Sequence, residues 1–186
     1  MYSIRQFQEK DRSRLREICK ETAWDSYKEN ENTLETVPIM FLDYFLDYES
    51  ELVFVAVNEN DEAVGYIVCA SEYKKFVKVM KKVYIPKLKT LDKSQISFIK
   101  IYLFALFLIK KNATHFHIDI TDEYQHQGIG RKLIDKLIEE LKRRGMNSLS
   151  VCAISRNSVG YPFYIKYGFK EIQKYGKERV SLNIKY

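Results

Sequence analysis

Cysteine is too sparse in this chain to hold it together. The three, at 19, 69 and 152, are odd in number and widely scattered. That pattern excludes a disulfide framework, lacks metal-ligand spacing and suits free thiols in a reducing compartment. Proline, with three, and glycine, with seven, are thin as well, which excludes collagen-like and low-complexity chains. The longest apolar run covers Ile101 to Ile109, far below the roughly 20 residues a spanning helix needs. Met1 to Arg5 shows no apolar leader, so a cytoplasmic location is expected. What remains is 186 residues with 46% hydrophobic content, enough for a full core, and a single domain over 1–186 is expected.

Acidic residues are missing from one stretch in particular. Residues 73 to 93 hold eight lysines against one aspartate, a local +7 in a chain whose total is +6, so everything outside that stretch sums to −1. The stretch opens a segment at about 72–112 whose second half, Ile96 to Ile109, is almost wholly apolar. A structureless loop of that length is foreign to a compact domain, so a helical insertion is expected. Its apolar half reads first as a core helix or a homodimer-interface helix, with contact with a membrane surface the lesser alternative and a span not expected. The lysines read either as a solvated helix face or as a basic rim drawing an acidic ligand into a cleft. The 14 tyrosines and 11 phenylalanines fall mostly at core spacing, and no nucleic-acid partner is expected.

The most informative local pattern runs from 115 to 145. In His115-Phe116-His117-Ile118-Asp119-Ile120 the apolar residues share one strand face and the two histidines and the aspartate the other. Gln125-His126-Gln127-Gly128-Ile129-Gly130 follows. A helix predicted from Arg131 then repeats Leu133, Ile134, Leu137, Ile138 and Leu141 and closes on Gly145. A glycine loop feeding a helix N-terminus offers unpaired N–H groups and the positive end of the helix dipole to a phosphate. The same glycines also fit a plain tight turn. A Rossmann fingerprint fails because Leu133 stands where a third glycine belongs, and a Walker loop fails because Gly130 is followed by Arg131-Lys132.

A second motif lies downstream: Asn157-Ser-Val-Gly-Tyr-Pro-Phe163-Tyr164-Ile-Lys-Tyr-Gly168-Phe169. Together the two motifs resemble the GNAT superfamily of acetyl-CoA-dependent N-acetyltransferases. The resemblance rests on Gln125, Gly128, Gly130, Asn157, Phe163, Tyr164, Gly168 and Phe169 in the family's order and spacing. Two strands at 52–58 and 63–71, a first strand at 3–6 and amphipathic segments near 9–22 and 33–47 extend it over the chain. Within the superfamily, residues 41–49 and 117–119 are most similar to the group near the acetyltransferase-like domain of O-GlcNAcases. The implied fold class is α/β (α+β): a mixed, mostly antiparallel twisted sheet of about six to seven strands flanked by helices, with the insertion after the third strand.

The resemblance also implies an activity, transfer of an acetyl group from acetyl-CoA to a primary amine of a small molecule, amino sugar or protein, with CoA as product and no metal. Ile118 and Ile120 would offer main-chain contacts to the pantetheine arm. Gln125, His126, Gln127, Gly128, Ile129, Gly130 and Arg131 would hold the pyrophosphate. Asn157 would open the last helix and aim its amide at the cofactor, or act as a plain N-cap. Tyr164 would protonate the departing thiolate, or serve as a packing aromatic. Asp119, with His117 roughly 7 Å away on the same strand face, is the candidate base, a structural role being the alternative for each. His115, His117 and Asp119 could also be read as a metal triad, a reading set aside for want of a third suitable histidine. Gly160-Tyr161-Pro162 departs from the family pattern, so a late helix start with Pro162 in its first turn is expected. That departure keeps open a non-catalytic acyl-CoA-binding regulator, and the basic insertion a membrane- or protein-docking module. The acceptor pocket is expected among Trp24, Tyr27, Tyr44 and Tyr48.

Overall fold

The computed structural model describes residues 2–109 and 114–186. The end of the expected insertion, 110–112, lies outside the described residues. The period-two segments of the sequence become β1 (Tyr2–Gln6), β2 (Val53–Asn58), β3 (Ala63–Ala70), β4 (His115–Ile120), β5 (Ser148–Ser155), β6 (Lys170–Tyr175) and β7 (Arg179–Lys185). Among the described residues these make one seven-stranded sheet in the order β1-β2-β3-β4-β5-β7-β6. Every neighbouring pair is antiparallel except β4 and β5, which are parallel.

Among the described residues the parallel pair is short. Its register there holds one residue pair, His115 with Ser150, backed by the Ser150 N–H donating to the Thr114 carbonyl at 2.9 Å. Beyond it the two strands part. β4 stays paired to β3 along its whole length, so its other edge from Ile118 onward faces an opening between strands. The parting is reinforced on β5 by a break in its register with β7 between Val151 and Ile154, where Ala153 holds a positive φ of 51°.

Helices cover both faces. On one lie α1 (Arg12–Glu21), α2 (Asp25–Lys28), α3 (Glu31–Phe41) and α4 (Asp43–Tyr48), joined by the insertion. The insertion is helical, as expected: α5 (Tyr73–Val79), a π-helical stretch Met80–Tyr84, α6 (Ile85–Leu91) and α7 (Gln95–Leu108). Its inward residues Phe76, Met80, Tyr84, Leu88 and Ile99 are fully buried in the same core as Leu15, Ile18, Phe45 and Val55. The other face carries α8 (Ile129–Arg143) and α9 (Gly160–Tyr167) over a second core. α8 starts two residues before the expected Arg131, because Ile129 is itself buried with Leu133, Ile134, Leu137, Ile138 and Leu141. Burying each such side chain stabilises the fold by roughly 1.5–3 kcal/mol, so this stripe fixes how α8 sits on the sheet.

Candidate active site

The opening between β4 and β5 inherits its chemistry from strand alternation. The Thr114 carbonyl points toward β5, whereas the Thr121 N–H donates to Val64 on β3 at 3.0 Å. Backbone groups two residues apart point the same way, so those of Ile118 and Ile120 face the opening. The Ile120 carbonyl already accepts from Gln125 Nε2 at 3.0 Å. Ile118 therefore presents the free main-chain edge there.

At the wide end of the opening stands the glycine loop. Gly128 is the N-cap of α8 in the left-handed conformation, φ +82°, and a Cβ there would be strained whatever the space around it. The first intrahelical bond runs from the Lys132 N–H to the Gly128 carbonyl at 3.2 Å. The N–H groups of Ile129, Gly130 and Arg131 are thus left for an anion at the positive helix end. Gln125 Nε2 also donates to Asp122 at 2.9 Å, Gln127 Nε2 donates to the Glu123 carbonyl at 2.9 Å, and Tyr2 donates to the Gln127 carbonyl at 3.2 Å. Both glutamine amides brace the loop. His126 is exposed with φ 60°. Arg131 is exposed, over the Tyr167 ring at 5.4 Å and 3.9 Å from the Asp135 carboxylate one turn along the helix. Gly130 has a packing role: a Cβ there would come within 3.2 Å of the Phe163 ring, so its smallness lets α8 and α9 approach.

Tyr164 and Asp119 flank the opening from opposite sides. Tyr164, on α9, is 7% exposed and lies edge-on to Phe116 and Phe169, at 5.8 and 5.5 Å between ring centroids. Burial, and secondarily the charge of Asp119, push its phenol up from its ordinary range, so it is protonated at neutral pH. Asp119 faces the α1 side. It sits opposite Tyr66 in the β3–β4 register and accepts a short hydrogen bond from the Tyr66 hydroxyl. Burial raises its carboxyl to about 6, while hydrogen bonds from Tyr66 and Thr22 pull the other way. A base that changes charge just below neutral pH is well matched to proton transfer.

His117 shares the strand face with Asp119 but not its chemistry. Its Nε2 lies 2.8 Å from the Tyr102 hydroxyl, and its ring is enclosed by Phe41, Phe45 and Tyr102 at centroid distances of 5.2, 5.7 and 5.8 Å. Burial, and secondarily His115, lower it to about 3. It is neutral at ordinary pH and a weak base. Among the described residues no three His, Cys, Asp or Glu side chains gather as a metal would need.

One expected placement is corrected. Asn157 does not open the last helix: α9 begins at Gly160 with Val159 before it, and Asn157 lies exposed in the preceding turn. The reason is local. Ser155 accepts from the Ser158 hydroxyl at 2.7 Å and, through its own Oγ, from the Asn157 N–H at 3.2 Å, winding a turn ahead of the helix. Pro162 falls in the first turn, where its missing N–H costs nothing.

The expected acceptor-pocket residues split. Tyr44 is core, its hydroxyl donating to Glu49 at 2.9 Å, and Tyr48 stacks on it at 5.6 Å. Trp24 and Tyr27 instead join Phe98 of the insertion at 5.8 and 6.4 Å, with Phe41 and Tyr102 behind. Sequence reading missed Phe98, Tyr102 and Tyr66. The signal for Tyr66 was its phenol set within the otherwise aliphatic and small residues of β3.

The Acetyltransferase (GNAT) family model matches residues 16–169. The chain is 36% identical over 64 residues to [Ribosomal protein bS18]-alanine N-acetyltransferase of Escherichia coli (strain K12), a stretch that is 34% of this chain and spans less than half, 43%, of that protein. Over 99% of this chain and 98% of the other, the fold matches the crystal structure of SsHAT with a TM-score of 0.84 at 22% identity. It also matches the paia N-acetyltransferase from Thermoplasma acidophilum in complex with coenzyme A, with a TM-score of 0.64 at 19% identity over 100% and 99% of the two chains.

Proposed function

The chain belongs to the GNAT acetyltransferase family and is an acyltransferase, and from that premise we propose that it moves the acetyl group of acetyl-CoA to a primary amine by direct attack. The observation that carries this reading is the parted β4–β5 edge, with the anion-ready start of α8 at one end, Asp119 on one side and protonated Tyr164 on the other. The complex of the Thermoplasma acidophilum neighbour with coenzyme A supports the choice of donor. Gly128 and the open N–H groups of 129–131 suit a pyrophosphate, and the free edge of Ile118 suits an amide-bearing arm.

Acetyl-CoA, when bound, supplies an activated thioester carbonyl. Asp119 takes a proton from the amine, whose nitrogen forms the new C–N bond as the C–S bond breaks. Tyr164 gives its phenolic proton to the departing sulfur, and the proton held by Asp119 returns to solvent and, in net, to Tyr164. His117 keeps its ring neutral and walls the acceptor side with Tyr102.

The acceptor is a primary amine of a small molecule, amino sugar or protein. The bS18-alanine relative argues for including peptides with an N-terminal alanine. The test is thiol release from acetyl-CoA by purified protein, followed against amines, amino sugars, polyamines and such peptides. Acceptor-dependent release supports the reading. Acetyl-CoA binding with no acceptor effect would favour a regulator that only holds the ligand.

A further inference from the structure

α7 lacks the polar outer face that a surface helix normally shows. Its inner side buries Ile99, Tyr102, Leu103, Ala105 and Leu106, while Ile101, Phe104, Phe107 and Leu108 on the other side are 68%, 60%, 44% and 41% exposed. The exposed side chains form one patch. Ile101, Phe104 and Leu108 recur at helical spacing, and the Phe104 and Phe107 rings stack at 6.4 Å. Phe107 also reaches Tyr73, the first residue of α5, at 6.5 Å, which ties the patch to the start of the lysine-rich segment. Of the eight lysines there, Lys75 pairs with Glu49, and Lys87 lies over the Tyr84 ring at 5.1 Å. Among the described residues no carboxylate forms an ion pair with any of the others. Lys100 adds a further exposed charge on α7 itself.

An apolar patch beside unneutralised positive charge asks for a partner that is apolar just beneath a negative surface. We propose that the insertion docks on an anionic lipid bilayer, with α7 lying in the plane of the interface and the lysines over the headgroups. A second copy of the chain fits poorly, since pairing the patches would bring two segments of +7 together. A nucleic-acid backbone would satisfy the lysines and leave Ile101 and Leu108 in water. The run is too short for a span, and a contact with a membrane surface is the lesser alternative that its length leaves open. At 14 residues α7 is about 21 Å long, enough to lie flat.

The test is flotation of the full chain with phosphatidylcholine vesicles, with and without phosphatidylglycerol. Binding is expected only with phosphatidylglycerol and should weaken with salt. Ile101→Ser/Phe104→Ser should lose roughly tenfold in partitioning with an unchanged melting temperature. Lys81→Gln/Lys82→Gln, independent of the apolar face, should lose roughly fivefold per charge removed. Absence of binding, equal binding to both vesicles, or wild-type binding by both variants would overturn the proposal. So would a dimer in light scattering that Ile101→Ser/Phe104→Ser dissolves, or RNA binding that the same variant abolishes.

Discussion

Replacing Asp119 by asparagine should make the protein slower and more stable at once. The carboxyl is raised by burial to about 6 from an ordinary 3.8, so at neutral pH the folded chain holds a charge its surroundings disfavour. At 1.36 kcal/mol per unit, that ionisation costs up to about 3 kcal/mol, present in full above the folded pKa and absent below the unfolded one. Asparagine is nearly isosteric and still accepts from Tyr66. The variant should therefore melt several degrees above wild type at pH 7, at about 2–4 °C per kcal/mol, and match it near pH 4. Loss of the base should cost about 10²- to 10⁴-fold in kcat/KM and remove the acid limb that wild type should show near pH 6. Thermal melts from pH 4 to 8 with thiol release over the same range check both halves. A stability gain independent of pH would refute the buried-charge reasoning, and a variant with wild-type turnover would refute the base.

Tyr164→Phe keeps the ring packed on Phe116 and Phe169, so acetyl-CoA affinity by calorimetry should stay within about twofold while kcat falls about 10²-fold or more. Unchanged kcat would remove the acid. Gly128→Val forces a β-branched residue to φ +82° and should abolish saturable CoA binding; retained binding would detach the phosphate from this loop. Tyr66→Phe removes a hydrogen bond that lowers the Asp119 carboxyl, so the acid limb of kcat/KM should move up by about one pH unit, with activity recovering at higher pH. A uniform loss at every pH would mean that Tyr66 only packs.

The strand and the helix around the glycine loop were legible because each obeys a period that burial enforces. Phe116, Ile118 and Ile120 join the α8 core, and His115, His117 and Asp119 the opposite side, as alternation predicts. The β2–β3 hairpin was legible from its two strand-like runs, the insertion's helicity from its length, and the late start of α9 from Pro162. What escaped depends on contacts between segments distant in sequence. Nothing near 117 says that Phe41, Phe45 and Tyr102 will close around its ring and lower its basicity. Asn157 stands where a cap is expected, but the serines at 155 and 158 take over the turn. Residues 41–49, which suggested a finer likeness, are largely core: Tyr44 and Phe45 are 1% and 0% exposed, so their pattern speaks of packing before chemistry.

In the proposed reaction the sheet divides the labour between its faces, and the described part of the insertion, 72–109, packs on one of them. α8 and α9 carry the proposed anion-binding turn and the proposed proton donor, on elements whose spacing the family motifs record. The other face carries Asp119, the proposed proton acceptor, and its walls come from α1 through Thr22, from the chain before α2 through Trp24, and from α7 through Phe98 and Tyr102. α7 thus has two sides with two consequences: its inner side shapes where an acceptor would approach Asp119, and its outer side carries the exposed apolar patch. Any partner that shifts α7 must move Phe98 and Tyr102, and with them the enclosure of His117. Occupation of the outer patch should therefore change the KM for the acceptor and leave that for acetyl-CoA, bound across the sheet, in place. Measuring both constants with and without phosphatidylglycerol vesicles decides the matter, and a parallel change in the two would show that the faces are not separate.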